Sequence, residues 1–297
     1  MDVSSGRLMK IWSPFPIAND SQHGIKLISS SPPCNYISPP QSDLGVIYFE
    51  IENDGCNPEF EVKYTFSFVS HDMYFNLDPA EIQPFDNKDP LLKPYLKSEK
   101  HITISDDLKN LAYSIVKDEK NPLARAMMIY VWMTDNLIYS FLPHEIIEDE
   151  SEYVLRTRKG DCGAQSIFYA ALCRALGIPA RVSGGWHLGP GFRLNHLWTE
   201  IYIPPYGWVP VDSSEALHQI GGGDFDEKDW PKLLKLFFGV FNRYHVCIHN
   251  NINLPLIPPK TSERSFDYAF HMAEKEYEDV NLPFRDSLFE VEIIKGF

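Results

Sequence analysis

The sequence lacks any apolar run close to the ~20 residues that a membrane-spanning helix needs. Its first residues, MDVSSGRLMKIWSPFPI, also lack the continuous apolar segment of a signal peptide. These two absences predict a chain that has no membrane span and is located in the cytoplasm. The hydrophobic content of 44% in 297 residues is nevertheless enough to bury a sizeable core.

Cysteines are few and are not arranged in pairs. The sequence has five of them, an odd number, and no CxxC motif. This pattern argues against a disulfide framework and against a four-cysteine zinc site. At least one thiol is therefore expected to be free, unless it pairs with another chain. The five are Cys34, Cys56, Cys162, Cys173 and Cys247.

Basic residues are also scarce, since 27 Lys and Arg stand against 41 Asp and Glu and give a formal net charge of −14. The acidic residues are spread along the chain, so nucleic acid is not an expected partner. No acidic cluster has the spacing of a calcium loop, and the first hundred residues contain no glycine-rich phosphate loop. We expect no cofactor and no bound metal, and we make no prediction of the oligomeric state.

Composition and periodicity divide the chain into three predicted units. Residues 1–100 are rich in Pro, Ser and Asn with short β-type runs such as GVIYFEI and EVKYTFSFV, which predicts a β-rich lobe. Residues 101–220 change to helical periodicity followed by strands and are predicted to form the catalytic core. Residues 221–297 are predicted to be a C-terminal extension with a helical run near 230–241 and strands at 244–248 and 288–294.

Three amphipathic helices are predicted in the middle unit. The first follows the start signal Ser105-Asp106-Asp107, and the second begins at Asn121-Pro122, an N-cap followed by proline. The third carries Cys162 in its first turn and ends before Gly177. Strands are predicted at 180–186, 196–203 and 208–212, the last two joined by the turn PPYG.

Cys162 is the candidate nucleophile. A cysteine attacks carbonyls well only as thiolate, and a helix N-terminus beside a protonatable histidine favours that form. The preceding Gly160-Asp161 gives a polar lead into the helix, which lets backbone N–H groups near the thiol point at an oxyanion. The alternative is an ordinary buried cysteine, and we assign that role to Cys173, which faces the apolar side of the same helix.

His196 and Asp212 are the candidate base and its orienting carboxylate. If their strands pair across the PPYG turn, the two side chains, 16 residues apart (212 − 196), lie on one sheet face. The alternative for Asp212 is a turn aspartate that caps the following serines. His187 is assigned to a loop, and His144 and His218 have no neighbouring carboxylate in a matched element.

The stretches RKGDCGAQSIFYAALCRALGIPARVSGGW and NHLWTEIYIPPYGWVPVDSS resemble the core of the transglutaminase-like superfamily. The upstream NPLARAMMIYVWMTDNLIYS resembles the helix that precedes the cysteine in those proteins, so the resemblance covers roughly residues 105–214. It implies a papain-like α+β fold, in which a cysteine at a helix N-terminus packs on an antiparallel sheet. By the same resemblance, three residues map onto a catalytic triad: Cys162, His196 and Asp212.

The resemblance implies acyl transfer on amide groups of a peptide or protein substrate through a thioester. Hydrolysis by a peptidase, amidase or deamidase is favoured over amine transfer by a protein-glutamine cross-linking transglutaminase. Two alternatives remain: a non-catalytic peptide-binding domain, and a metal hydrolase that uses the same triad residues as zinc ligands. Three tryptophans are candidate walls of the acyl groove, with core packing as the alternative: Trp186, Trp198 and Trp208.

Overall fold

The computed structural model describes residues 7–53, 61–189, 194–221, 236–261, 269–270 and 272–277. The helices are α1 (Asp106–Val116), α2 (Pro122–Asn136), α3 (Glu150–Thr157), α4 (Cys162–Ala175) and α5 (Ser213–Gly221). The strands are β1 (Arg7–Pro14), β2 (Gln22–Ser31), β3 (Tyr36–Ile37), β4 (Val46–Asn53), β5 (Lys63–Ser70), β6 (Met73–Tyr74), β7 (Ile138–Tyr139), β8 (Lys159–Gly160), β9 (Ala180–His187), β10 (Leu194–Ile203), β11 (Gly207–Val211), β12 (Val240–Phe241), β13 (His245–His249) and β14 (Glu274–Tyr277).

The centre of the molecule is helix α4 packed on an antiparallel sheet of strand order β11-β10-β9-β13. Residues 163–174 of α4 are all buried, so this helix is the inner element around which α1, α2, α3 and α5 pack. The predicted start signals are confirmed, since Ser105 and Asn121 cap α1 and α2 through their side-chain oxygens. The predicted α+β fold is therefore confirmed.

Strand β13 reaches β9 because β9 is glycine-rich at the contact. A Cβ added at Gly185 would lie 2.0 Å from the carbonyl oxygen of Val246, a distance that no real side chain shows. Gly185 is paired with Cys247 on one side and with His196 on the other. The absence of a side chain at this position therefore brings β13 into the sheet that carries His196.

The first hundred residues form the predicted β-rich lobe. One of its sheets has the order β14-β1-β4-β3, and β2 pairs with β5 in a second. Strands β13 and β14 both come from the predicted C-terminal extension, yet β13 joins the core sheet and β14 joins the sheet of the lobe. The division into units 1–100, 101–220 and 221–297 stays a prediction.

Gln22 connects the lobe to β13. Its side-chain amide donates to the carbonyl oxygens of Ile17 at 2.6 Å and Cys247 at 3.0 Å, while its carbonyl oxygen accepts from the Cys247 backbone N–H at 3.2 Å. The side chain is fully buried. One buried amide thus satisfies three backbone groups of two segments that are far apart in sequence.

Some predicted elements differ from the structure. Phe241 was predicted to end a helical run and instead belongs to strand β12, while residues 230–235 of that run and the predicted strand at 288–294 lie outside the described residues. The sequence favours a loop around residues 143–152, whereas α3 already begins at Glu150. In the described part of the chain, no helix is long and apolar enough to cross a membrane, and the cytoplasmic location stays a prediction.

Candidate active site

Cys162 is the first residue of α4, as predicted. The carboxylate of Asp161 caps the helix by accepting from the Ala164 backbone N–H at 3.1 Å. Gly160 precedes them, and a Cβ there would come within 3.2 Å of both Ala164 and Gln165, closer than ordinary packing allows. The missing side chain therefore lets the chain turn tightly into the helix, with the half-buried Cys162 at its positive end.

His196 and Asp212 lie side by side at the sheet, also as predicted. His196 Nε2 is 2.6 Å from Asp212 Oδ2. The other carboxylate oxygen of Asp212 accepts from the Ser214 hydroxyl and the Glu215 backbone N–H, both at 3.0 Å. Asp212 therefore has both of the arrangements considered from the sequence. Its Oδ1 caps the start of α5, and its Oδ2 contacts His196.

The His196–Asp212 pair is held in its charged form. Burial acts to lower the pKa of His196, but the charge and hydrogen bond of Asp212, together with the Cys162 thiol, raise it well above the usual value. Burial likewise acts to raise the pKa of Asp212. The interactions of its carboxylate with His196 and His245 outweigh burial, so the pKa of Asp212 is lowered. An imidazolium–carboxylate pair therefore lies near Cys162, whose thiol is close enough to contribute to the raised pKa of His196.

Tyr139 is a neighbour of Cys162 that sequence reasoning missed. It lies on β7, which pairs in parallel with β8 so that Tyr139 is opposite Gly160. Its phenol lies close enough to Cys162 for the backbone and the thiol of that residue to influence the Tyr139 pKa. Burial, followed by the charges of Cys162 and Asp161, raises the pKa of Tyr139, so the hydroxyl keeps its proton. This two-residue strand has no periodicity from which the contact could be read.

Two further histidines lie against the pair. His245, on β13, has its Nε2 3.7 Å from Asp212 Oδ2, and His187, on β9, pairs with His245 in register with ring centroids 4.6 Å apart. The assignment of His187 to a loop was wrong, because β9 continues to that residue. Burial and the charges of His245 and His196 lower the pKa of His187 to about 3, so it is neutral.

A second histidine–carboxylate network ends at Asp161, the residue that precedes the nucleophile. His101 Nδ1 is 2.6 Å from Glu150 Oε2, His144 Nδ1 is 3.4 Å from Glu150 Oε1, and His144 Nε2 is 2.6 Å from Asp161 Oδ2. The expectation that His144 lacks a carboxylate partner was therefore wrong. Burial acts to lower the pKa of His144, but Asp161 and Glu150 raise it to about 10. The residue that caps the Cys162 helix, Asp161, thus forms an ion pair with His144. The side chain of His218, the other histidine considered from the sequence, is outside the described residues.

The three tryptophans occupy packing positions. Trp186 and Trp198 are buried, and the Trp198 ring lies 6.2 Å from that of His196 and 5.3 Å from that of His245. Trp208 is half-buried on β11, where the Arg181 guanidinium lies 4.3 Å from its ring centroid. Walling of an acyl groove by these residues stays a prediction.

Cys162 is set apart from the other described cysteines by its neighbours. Cys173 and Cys247 are buried, and burial raises the pKa of Cys173 to about 12, which fits the role expected for it. Cys34 is half-buried, and Cys56 lies outside the described residues.

The Transglutaminase-like superfamily matches residues 109–213, which contain Cys162, His196 and Asp212. An uncharacterized protein of Haemophilus influenzae is 25% identical over 209 residues, which are 62% of this chain and 57% of that protein. The chain therefore spans little more than half the length of that relative.

Two solved structures are similar. A protein from Cytophaga hutchinsonii, named as a candidate cysteine protease, superposes with a TM-score of 0.54 at 18% identity and covers 97% of this chain and 95% of that one. The periplasmic domain of TgpA from Pseudomonas aeruginosa gives a TM-score of 0.41 at 19% identity, covering 79% of this chain and 76% of that one. The first of these supports the fold.

Proposed function

We propose that this chain, whose residues 109–213 match the transglutaminase-like superfamily, is a cysteine-dependent acyl-transfer enzyme acting on amide groups of peptides or proteins. Cys162 is the nucleophile, His196 the acid and base, and Asp212 the group that orients His196. The observation that carries the proposal is the buried 2.6 Å contact of His196 with Asp212, with Cys162 close enough to the same imidazole to help raise its pKa.

In the first half of the reaction, the Cys162 thiolate attacks the amide carbonyl carbon. A sulfur–carbon bond forms, and the carbonyl π electrons move to oxygen. When this oxyanion collapses, the carbon–nitrogen bond breaks and the leaving amine takes the proton of the His196 imidazolium. The products are a thioester on Cys162 and a neutral His196 that remains hydrogen-bonded to Asp212.

We assign the oxyanion site to two donors, the Cys162 backbone N–H and the Tyr139 hydroxyl. Support comes from the closeness of that phenol to the backbone and the thiol of Cys162, because the carbonyl oxygen of a substrate attacked by Cys162 would lie near both donors. The raised pKa of Tyr139 keeps it a donor while negative charge develops.

We propose water as the acceptor in the second half of the reaction. Neutral His196 takes a proton from water, the resulting hydroxide attacks the thioester carbon, and the thiolate leaves. An amine in place of water would give an amide bond, the cross-linking outcome, through the same steps. The two reactions differ in the acceptor and therefore in the final product, so one experiment that identifies the product separates them.

The test is to incubate the protein with a pool of peptides that includes glutaminyl peptides, with and without a primary amine, and to follow peptides and intact protein by mass spectrometry. We expect hydrolysed peptide, and after acid quenching an acyl adduct on Cys162 that is absent from Cys162→Ala. An amine-containing product would favour cross-linking. Peptide binding without adduct or product would favour the peptide-binding domain, and turnover lost only to a chelator would favour the metal hydrolase.

A further inference from the structure

Three potential metal ligands converge where the proposed mechanism needs only two of them. Among the described residues, His196, Asp212 and His245 each offer one ligand atom, and these atoms lie within 4.8 Å of one another. Ligands at about 2.0–2.2 Å around a tetrahedral ion stand about 3.3 Å apart, so small side-chain movements would complete the site. The contacts to Asp212, 2.6 Å from His196 and 3.7 Å from His245, bracket that spacing.

The tautomer of His245 is fixed by its neighbours. Its Nδ1 is 2.9 Å from Asn242 Oδ1, and the Tyr244 backbone N–H donates to that same atom at 3.1 Å, which identifies it as an oxygen. Nδ1 of His245 must therefore carry a hydrogen. In the neutral ring, the lone pair is on Nε2 and faces the carboxylate of Asp212, an arrangement that a cation would stabilise.

The surroundings of His245 match those of a metal-bound histidine. Such a histidine donates its second N–H to an oxygen, which fixes the ring orientation. The Oδ1 atom of Asp212 is already hydrogen-bonded to Ser214 and Glu215, so Oδ2 is the oxygen that faces both histidines.

We propose that His196, Asp212 and His245 form a reversible binding site for a divalent transition metal ion such as zinc, and that the bound ion blocks the cysteine chemistry. Two imidazoles and one carboxylate favour such ions over calcium or magnesium. Binding displaces the proton on His196 Nε2 to solvent and places the ion between His196 and Asp212. The blocking effect rests on the proposed function, whereas the binding does not.

The three proposed ligand residues retain a small solvent exposure. His196, Asp212 and His245 are buried but not sealed, with exposures of 8%, 8% and 6%. The set differs from the zinc ligands considered from the sequence, because His245 takes the place of Cys162. That difference gives the proposal a direct test.

The test is a titration of the metal-free full-length protein with Co²⁺, read by its visible absorption bands, with Zn²⁺ competition to follow. We expect about one ion per chain, unchanged in Cys162→Ala and weakened at least about tenfold in His245→Gln. The exposed His23 on β2 provides the control variant His23→Gln, which should bind as wild type. A second variant, Asn242→Ala, keeps the ligand but loses its orienting oxygen and should weaken binding by about 10–100-fold.

Equal binding by wild type, His245→Gln and Asn242→Ala would overturn the site. Loss of Co²⁺ binding in Cys162→Ala, together with an intense near-ultraviolet thiolate band in wild type, would overturn the proposed site. It would instead favour the ligands considered from the sequence, Cys162, His196 and Asp212. Because binding is read without turnover, these outcomes are distinct from a failure of the proposed function. If turnover is detected, Zn²⁺ should inhibit wild type at lower concentration than either variant, and equal inhibition would contradict the block.

Discussion

At the residue scale, the candidate site contains two classes of side chain. Cys162, His196 and Asp212 could be proposed from local motifs, because Cys162 begins a helix, Asp212 directly follows a strand and His196 lies near the start of another. Tyr139 and His245 could not, because their positions depend on strand pairings, β7 with β8 and β13 with β9, that join segments distant in sequence. Local patterns indicate an element but do not identify its neighbour.

Tyr139→Phe tests the proposed oxyanion donor. Removing one such donor lowers kcat by about 10²–10³-fold, and because the donor acts mainly in the transition state, KM should change little. Steady-state kinetics with the substrate found above gives both constants. Tyr113→Phe, at an exposed tyrosine on α1, is the control and should behave as wild type. A kcat for Tyr139→Phe equal to that of wild type would remove Tyr139 from the mechanism.

At the scale of elements, the start of α4 depends on more than its own sequence. The motif KGDC predicted the helix start, and Asp161 caps it as its residue type favours. The partner of that cap is His144, which in turn contacts Glu150 at the first turn of α3. Since the segment around 143–152 that holds His144 and Glu150 was predicted to be a loop, this second histidine–carboxylate system could not be found from the sequence.

His144→Gln tests the charge of this network through its pH dependence. The pKa of His144 is raised from 6.5 to about 10, so its ionic stabilisation is fully present below pH 6.5 and is lost as the pH rises through about 10. We expect the variant to lose about 3 kcal/mol of unfolding free energy near pH 6, since breaking a buried ion pair costs about 3–5 kcal/mol. The deficit relative to wild type should shrink toward pH 10.

Denaturant unfolding at several pH values between these limits measures that deficit. His23→Gln, at an exposed histidine, should follow wild type throughout. A deficit for His144→Gln that is the same at every pH would mean that His144 acts through packing alone.

At the scale of the whole molecule, the core sheet is completed by chain from outside the matched family region. The sequence predicted a β-rich lobe, a helical core and a strand at 244–248, and all three are present. It did not predict that β13 would lie beside β9, or that β14 would join β1. Such pairings depend on complementary surfaces, such as the gap left by Gly185, rather than on local propensity.

Gln22→Ala tests the connection between the lobe and the core sheet. The variant leaves the Ile17 carbonyl oxygen and the Cys247 N–H without their buried partner, while the Cys247 carbonyl oxygen keeps the Ile17 backbone N–H; each unsatisfied group costs about 1–3 kcal/mol. We expect a loss of at least about 2 kcal/mol in the free energy of unfolding, measured by denaturant titration. Gln83→Ala, at an exposed glutamine, should change it by less than about 0.5 kcal/mol. Equal stability of the two variants would show that the lobe does not support β13 through Gln22.

The central claim is that Cys162 works as a thiolate paired with His196, and the pH dependence of its alkylation by iodoacetamide tests this most directly. Peptide-resolved mass spectrometry of wild type and His196→Ala reports Cys162 and, as an internal reference, Cys34. We expect rapid labelling of Cys162 below about pH 7 in wild type, and we expect that rapid labelling to be lost in His196→Ala. Labelling that rises only near about pH 8.5, alike in both proteins and alike at Cys162 and Cys34, would contradict it.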